Sequence, residues 1–297
     1  IPLEDTKLVN TTVSFVEGAD YSSIVGVTFE FTGDDTTGSI GIIYLKDVNG
    51  VVVKNNVILV PEFVDKAGSK YGSSIYAIEV ETGANGCKDT EIIGNTIEIN
   101  GTCRYLYGID VFDTYGSPAK HEDITISGNN IALNGGSRMA EGIYVSAADG
   151  AIIAFNEINT VSPGSAYGIA TDDMSDTSIY SNNINVNATV SNMAYGITSL
   201  TSNDVTITDN TIVSTGTGAV GIGFMNDEGI TIEDNTTTTN GGDFTTAITS
   251  DSLGTANAAI LDKAGNTDVT IGDNTIVENG PKFIDDSNYD QYFNADG

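Results

Sequence analysis

The residues of this chain best suited to chemistry are acids and aromatics placed at recurring positions. Asp172 and Asp173 are adjacent, and two carboxyls held about 5 to 9.5 Å apart are what cleavage of a glycosidic bond requires. Tyr76, Tyr107, Tyr167 and Tyr195 each precede a Gly-Ile or Ala-Ile pair. Such flat rings with polar tips stack on sugars or on a protein partner, or simply on one another. Residues 111–122 gather Phe112, Asp113, Tyr115, Pro118 and the sole histidine, His121, a mixture suited to recognition from a loop. Asp227-Glu228, Glu233-Asp234 and Asp285-Asp286 offer hard oxygen ligands, but none has the spacing of a calcium loop, and solvated turn acids account for them.

The wider placement of charge argues against catalysis. The fourth residue after each Gly or Ala of those pairs reads Leu45, Glu81, Phe112, Ser146, Asp172, Leu200, Met225 and Asp251. The fifth reads Lys46, Thr82, Asp113, Ala147, Asp173, Thr201, Asn226 and Ser252. Neither column gives Asp172 or Asp173 an acidic neighbour above or below. No Lys or Arg lies between Arg138 and Lys263, so the central segment lacks a base of that kind. The expectation is a chain with no catalytic residue and no cofactor, calcium being unsupported by a motif. Phe112, Asp113, Tyr115, His121, Tyr107, Tyr167 and Tyr195 are then the candidate contact residues.

The elements that must position these groups come from a repeat. An Asn recurs at Asn55, Asn95, Asn129, Asn156, Asn182, Asn210, Asn235 and Asn274, with central gaps of 27, 26, 28 and 25 residues, and Val27-Thr28-Phe29 reads as a degenerate first copy. Three residues before each Asn, and two after it, stands Ile or Val at every position but Thr237. These β-branched residues suit pleated strands. Six residues before each Asn comes Asn49, Asp89, Asp123, Gly150, Asp176, Asp204, Gly229 or Asp268, types that tolerate left-handed backbone and close a turn. A further strand is signalled at Gly41-Ile42, Ala77-Ile78, Gly108-Ile109, Gly142-Ile143, Gly168-Ile169, Gly196-Ile197, Gly221-Ile222 and Ala247-Ile248. Three short strands in each period of this length define a parallel β-helix, with the Asn side chains stacked as an amide ladder. The coils lengthen near 59–75, 111–122 and 251–267, with a smaller excess at 81–89.

The combination of Gly-Ile, a turn Asp or Gly, and Ile-x-x-Asn-x-Ile at this period resembles the right-handed parallel β-helix repeats of adhesin-like surface proteins of methanogenic archaea, a repeat shared with NosD-like proteins. The closing stretch from Phe283 to Gly297 resembles the junction at which such proteins begin another module. The resemblance covers most of residues 24–280. It implies an all-β, right-handed parallel β-helix solenoid of about nine to ten coils with three short strands per coil. Residues 1–23 would form an N-terminal cap, 24–280 the β-helix, and 281–297 a C-terminal cap or linker. The function so implied is non-catalytic: an extracellular, cell-surface protein that binds a glycan or protein partner, serves as a rigid stalk, or both. Because hydrolases and lyases use the same solenoid, a carbohydrate-active enzyme is the alternative. A structural component that self-associates end to end is the second alternative.

Composition sets the surroundings. With 11 basic against 41 acidic side chains the net charge is −30, which disfavours nucleic acid and anionic membrane as partners and suits a salty exterior. No apolar run approaches a membrane span. The opening Ile1-Pro2-Leu3, without a secretory leader, reads as a mature or trimmed form. Cys87 and Cys103 flank one repeat, and a disulfide and a pair of buried thiols are both compatible with that placement. Of the glycosylation sequons at Asn10, Asn100, Asn187 and Asn235, the last belongs to the ladder and should be inaccessible.

Overall fold

The structure, a computed structural model, describes residues 6–32, 39–63, 73–114, 119–190, 193–241, 258–262, 265–277 and 283–285. Each coil gives one strand to each of three parallel sheets. Sheet I runs from Lys7–Val9 to Thr275–Val277, sheet II from Val13–Phe15 to Phe283–Asp285, and sheet III from Ser23–Val25 to Thr270–Ile271. Among the described residues they hold 10, 10 and 11 strands. The chain is therefore a parallel β-helix, wound in the right-handed sense that parallel crossovers take.

The aliphatic columns fill the interior. In sheet III, Ile92, Ile126, Ile153, Ile179, Ile207 and Ile232 are in register from coil to coil and fully buried. In sheet I, Ile97, Ile131, Ile158, Ile184, Ile212 and Thr237 form the matching column. The turn residues behave as their types demand, since Asp89, Asp123, Asp176, Asp204 and Asp268 all take positive φ, as do Gly150 and Gly229.

Between these two columns runs the amide ladder. Asn156 Nδ2 donates to Asn182 Oδ1 at 2.9 Å, and Asn182 Nδ2 to Asn210 Oδ1 at 3.0 Å. Each Oδ1 also accepts the main-chain N–H of the Asn one coil earlier, as Asn182 does from Asn156 at 3.0 Å. The ladder satisfies buried backbone that the strand ladders leave over. In the Asn55-Asn56 coil the sequence reading is off by one residue. Asn56, not Asn55, accepts from Val27 N and donates to Asn95, and Val53, not Val52, faces Ile92. Asn55 instead adopts φ 53°, the left-handed position that Gly94 and Gly128 occupy in later coils. The same shift puts Ile42-Ile43 opposite Ala77-Ile78. At the far end, Ala247-Ile248 lie outside the described residues, and the strand paired with Gly218–Met225 is Ala258–Asp262.

Gly recurs in sheet II for a steric reason. A Cβ on Gly108 would stand 2.7 Å from Ile131 Cγ2, and one on Gly142 2.5 Å from Ile158 Cγ2; Gly168, Gly196 and Gly221 meet Ile184, Ile212 and Thr237 in the same way. The Ile of each Asn-x-Ile thus fills the space that a side chain would need. The Gly and the following Ile both face inward, as with Gly108 and Ile109. Inward–outward alternation restarts at this bend, and that sets the outer face described below.

Residues Lys7–Val9, Val13–Phe15 and Ser23–Val25 are the first strands of the three sheets. The backbone N–H groups of Gly83, Ala84, Asn85 and Gly86 converge on the Asp47 carboxylate at 2.8 to 3.1 Å, fastening the excess at 81–89 to the neighbouring coil. The disulfide alternative fails: Cys87 and Cys103 are both buried thiols. Cys87 Sγ lies near Glu81 O ahead of sheet III, whereas Cys103 Sγ contacts Tyr105 O at the turn into sheet II. Asn235 is fully buried in the ladder, and Asn10 is exposed. Among the described residues no helix is long and apolar enough to cross a membrane.

Candidate active site

The outer face of sheet II carries the chemistry. Its central strands are Ser74–Glu81, Tyr105–Phe112, Met139–Ser146, Ser165–Asp172, Met193–Leu200 and Gly218–Met225. Because the bend turns two successive residues inward, the outward positions fall just before the Gly and two residues after it. The first outward row reads Tyr76, Tyr107, Glu141, Tyr167, Tyr195 from coil to coil. The second reads Glu79, Asp110, Tyr144, Ala170, Thr198. A third, further along the strands, includes Phe112, Ser146, Leu200 and Met225.

These rows enclose a cavity of about 630 Å³. Asp110 and Glu141 line it, together with Tyr107, Tyr144 and Tyr167. The tyrosines of the first row stack on each other, Tyr76 on Tyr107 at 4.6 Å between ring centres and Tyr167 on Tyr195 at 5.2 Å. Both spacings match the separation of adjacent strands, so the rings stand across the solenoid axis. Glu141 takes the place between the two stacks.

Burial makes the carboxyls proton carriers. Asp110 is 4% exposed and Glu141 5% exposed. Desolvation lifts Asp110 well above the usual carboxylate range, and the nearby charge of Glu79 lifts it further. Glu141 is raised by desolvation and then by Asp110. Glu79 is pushed up to about 7 by burial and by Glu81. The Tyr107 hydroxyl is raised in turn by burial and by Glu141. Asp110 Oδ1 has no hydrogen-bond partner among the described residues. Among the described residues no Lys, Arg or His lines the cavity. The charge of Asp110 reaches Glu141, so of the two carboxyls Asp110 ionises first and Glu141 holds its proton to higher pH.

The residues singled out from sequence divide. Tyr107, Tyr167, Tyr195, Phe112 and Asp113 do line the cavity. His121 is no contact residue, being fully buried with Nδ1 accepting from Cys87 N and Nε2 at 3.2 Å from Phe112 O. Tyr115 lies outside the described residues. Asp172 stands between Ser146 and Leu200 with its carboxyl raised by partial burial and by Asp173. Asp173 turns away at φ 53° to pair with Lys120 at 2.9 Å. Asp227 is buried and pushed up to about 6, its carboxylate accepting from Ser202 N. Among the described residues no cluster of three or more His, Cys, Asp or Glu side chains is arranged to hold a metal ion.

Sequence reasoning missed Asp110, Glu141, Glu79 and Tyr144. One signal was available: the residue before Gly142-Ile143 is a Glu, in a column that is Tyr in the two coils on either side of it.

Neither a protein-family model nor a curated protein matches the chain. Solved structures with a similar fold include endo-xylogalacturonan hydrolase from Aspergillus tubingensis, at TM-score 0.45 and 12% identity, covering 94% of this chain and 86% of that one. DFA-IIIase from Arthrobacter chlorophenolicus A6 has TM-score 0.42 and 11% identity, with 90% and 82% covered. GH136 lacto-N-biosidase from Eubacterium ramulus has TM-score 0.39 and 12% identity, and the match takes in 88% of this chain but only 50% of that protein. At this identity the likeness extends to the parallel β-helix alone. The expectation of a non-catalytic adhesin-like protein is corrected to this extent: the solved structures named here are carbohydrate-active enzymes and none is an adhesin. The charge argument against catalysis had weighed the columns of Asp172 and Asp173, whereas Asp110 and Glu141 lie in two others.

Proposed function

We propose that the chain is a carbohydrate-active enzyme that hydrolyses a neutral glycan in the groove on sheet II. The observation that carries this reading is the buried carboxyl pair Asp110 and Glu141, set among stacked tyrosines in one cavity. The rings provide apolar surface for a sugar face. Burial holds both carboxyls towards the protonated form, and because the charge of Asp110 raises Glu141 further, Asp110 is the member that ionises first while Glu141 keeps its proton. The protonated member gives its proton to the leaving glycosidic oxygen as the bond to the anomeric carbon breaks. The ionised member takes a proton from the water that adds to that carbon.

Hydrolysis of a neutral sugar fits better than elimination on a uronate. An acidic polysaccharide would need a cation beside its carboxylate, and the lining among the described residues includes no Lys, Arg or His. The chain's net charge of −30 would repel it further. That same acidity suits work outside the cell, which we include in the proposal. Incubation with panels of neutral and uronate-containing polysaccharides tests the reading. New reducing ends from a neutral glycan, lost in Asp110→Asn, support it. Unsaturated products that absorb in the ultraviolet, or activity that survives Asp110→Asn, would overturn it.

A further inference from the structure

The groove has two unlike ends. Towards the N-terminal coils it carries Asp110, Asp113 and Glu141, and towards the C-terminal coils Met193, Leu200 and Met225. At the second end the floor row shrinks from Tyr144 to Ala170 and Thr198, both of which line the cavity. Tyr167, Met193, Leu200 and Met225 pack there against a second apolar cluster formed by Tyr195, Val220, Ala258 and Leu261 on the outer face, separate from the solenoid core.

This surface is badly matched to a second sugar residue. A pyranose brings several hydroxyls, and each one desolvated without a partner opposes binding. Apart from the tyrosine hydroxyls, the lining at this end offers, among the described residues, only Thr198, and the Tyr195 hydroxyl is already directed to Met193 Sδ at 3.3 Å. Flexible Met side chains and a Leu instead adapt to an apolar group of variable shape. Resting on the hydrolytic reading of the same groove, we propose that this end receives an apolar alkyl or aryl aglycone, so that the substrate is a glycoside whose sugar lies over Asp110 and Glu141.

Rates on octyl and nitrophenyl glycosides of neutral pyranoses, set against the corresponding disaccharides, decide the matter. The expected result is a preference in kcat/KM of about tenfold or more for the apolar glycosides, reduced towards unity by Leu200→Asn and by Met225→Gln. A wild-type preference for disaccharides, or a ratio that neither variant moves, would overturn the aglycone assignment. If neither class is hydrolysed, the catalytic reading fails on its own, and calorimetry with octyl glucoside and with glucose still tests the apolar end. Octyl glucoside binding that Leu200→Asn weakens about tenfold supports it; equal binding of the two, or none, refutes it.

Discussion

Asp110 and Glu141 lie on neighbouring strands of sheet II, on opposite sides of the Gly-Ile bend, and after burial it is the charge of Asp110 that lifts the Glu141 carboxyl. This coupling makes Glu141 the member that keeps its proton longer as pH rises. Asp110→Asn and Glu141→Gln are each expected to lower kcat by about 10² to 10⁴-fold, the range for loss of a general acid or base. Residues that act as a unit are non-additive, so the double variant should lose little more than the worse single one. Both amides match the carboxyls in shape and bring no charge into the buried site, and the melting temperature should not fall. Steady-state rates and thermal melts on the same samples check this, and a large drop in melting temperature would assign the pair to the fold instead.

The raised carboxyls make stability depend on pH in a definite direction. Glu79 is pushed from 4.5 to about 7 by burial and by Glu81, so the folded chain binds this proton more tightly than the unfolded one. Its contribution is complete below about pH 4.5 and is lost as pH rises through 7. Asp227, raised from 3.8 to about 6, acts likewise in a lower window. The melting temperature should therefore decline between pH 4.5 and 7, with Glu79→Gln removing the upper part of the slope. General repulsion among the acids acts in the same sense, so the difference between variant and wild type is the diagnostic quantity. Identical slopes would show that Glu79 ionises in the fold as it does in water.

The solenoid was legible because its period is written in side chains that must face inward. Ile153, Asn156 and Ile158 repeat as Ile179, Asn182 and Ile184, and no other element explains both offsets. The error at Asn55 arose where Val51-Val52-Val53 and Asn55-Asn56 make either register look equally good; only the need for a left-handed residue at Asn55 separates them. The site was harder for a related reason. Asp110 is flanked by Ile109 and Val111, and simple alternation does not reveal that Gly108 resets the parity and turns it outward. Glu141 was hidden by the tyrosines around it. His121 attracted attention by its rarity, whereas its ring serves the backbone of a buried corner.

The steric account of the Gly column makes a direct prediction. A Cβ at position 168 would collide with Ile184 Cγ2 and with the Gly196 carbonyl oxygen, and interiors tolerate little overpacking. Gly168→Ala should cost about 1 to 3 kcal/mol by denaturant unfolding, although Ala is ordinarily the better-tolerated residue within a strand. Adding Ile184→Ala should recover part of the loss, because it vacates the space while the carbonyl contact remains. Strict additivity of the two changes would mean that Ile184 is not what holds position 168 to Gly.

The amide ladder should matter most where water cannot replace it. Asn182 Oδ1 accepts from both the main-chain N and Nδ2 of Asn156, while its own Nδ2 donates to Asn210 Oδ1 and to Ile153 O. Asn182→Ala strands the two Asn156 donors in a dry interior, and at about 1 to 3 kcal/mol for each unsatisfied group the loss should reach about 3 kcal/mol or more. Asn274 stands at the last described step of the ladder and is only partly buried, accepting from Asn235 N and Nδ2 at 3.0 Å. Water can reach its partners, so Asn274→Ala should cost about 1 kcal/mol or less. Because each coil touches only its neighbours, hydrogen exchange is the suitable measurement. Protection should fall in the coils around residue 182 in the first variant and only near the C-terminal coil in the second, and equal losses at both positions would show that the amides stack without carrying the fold.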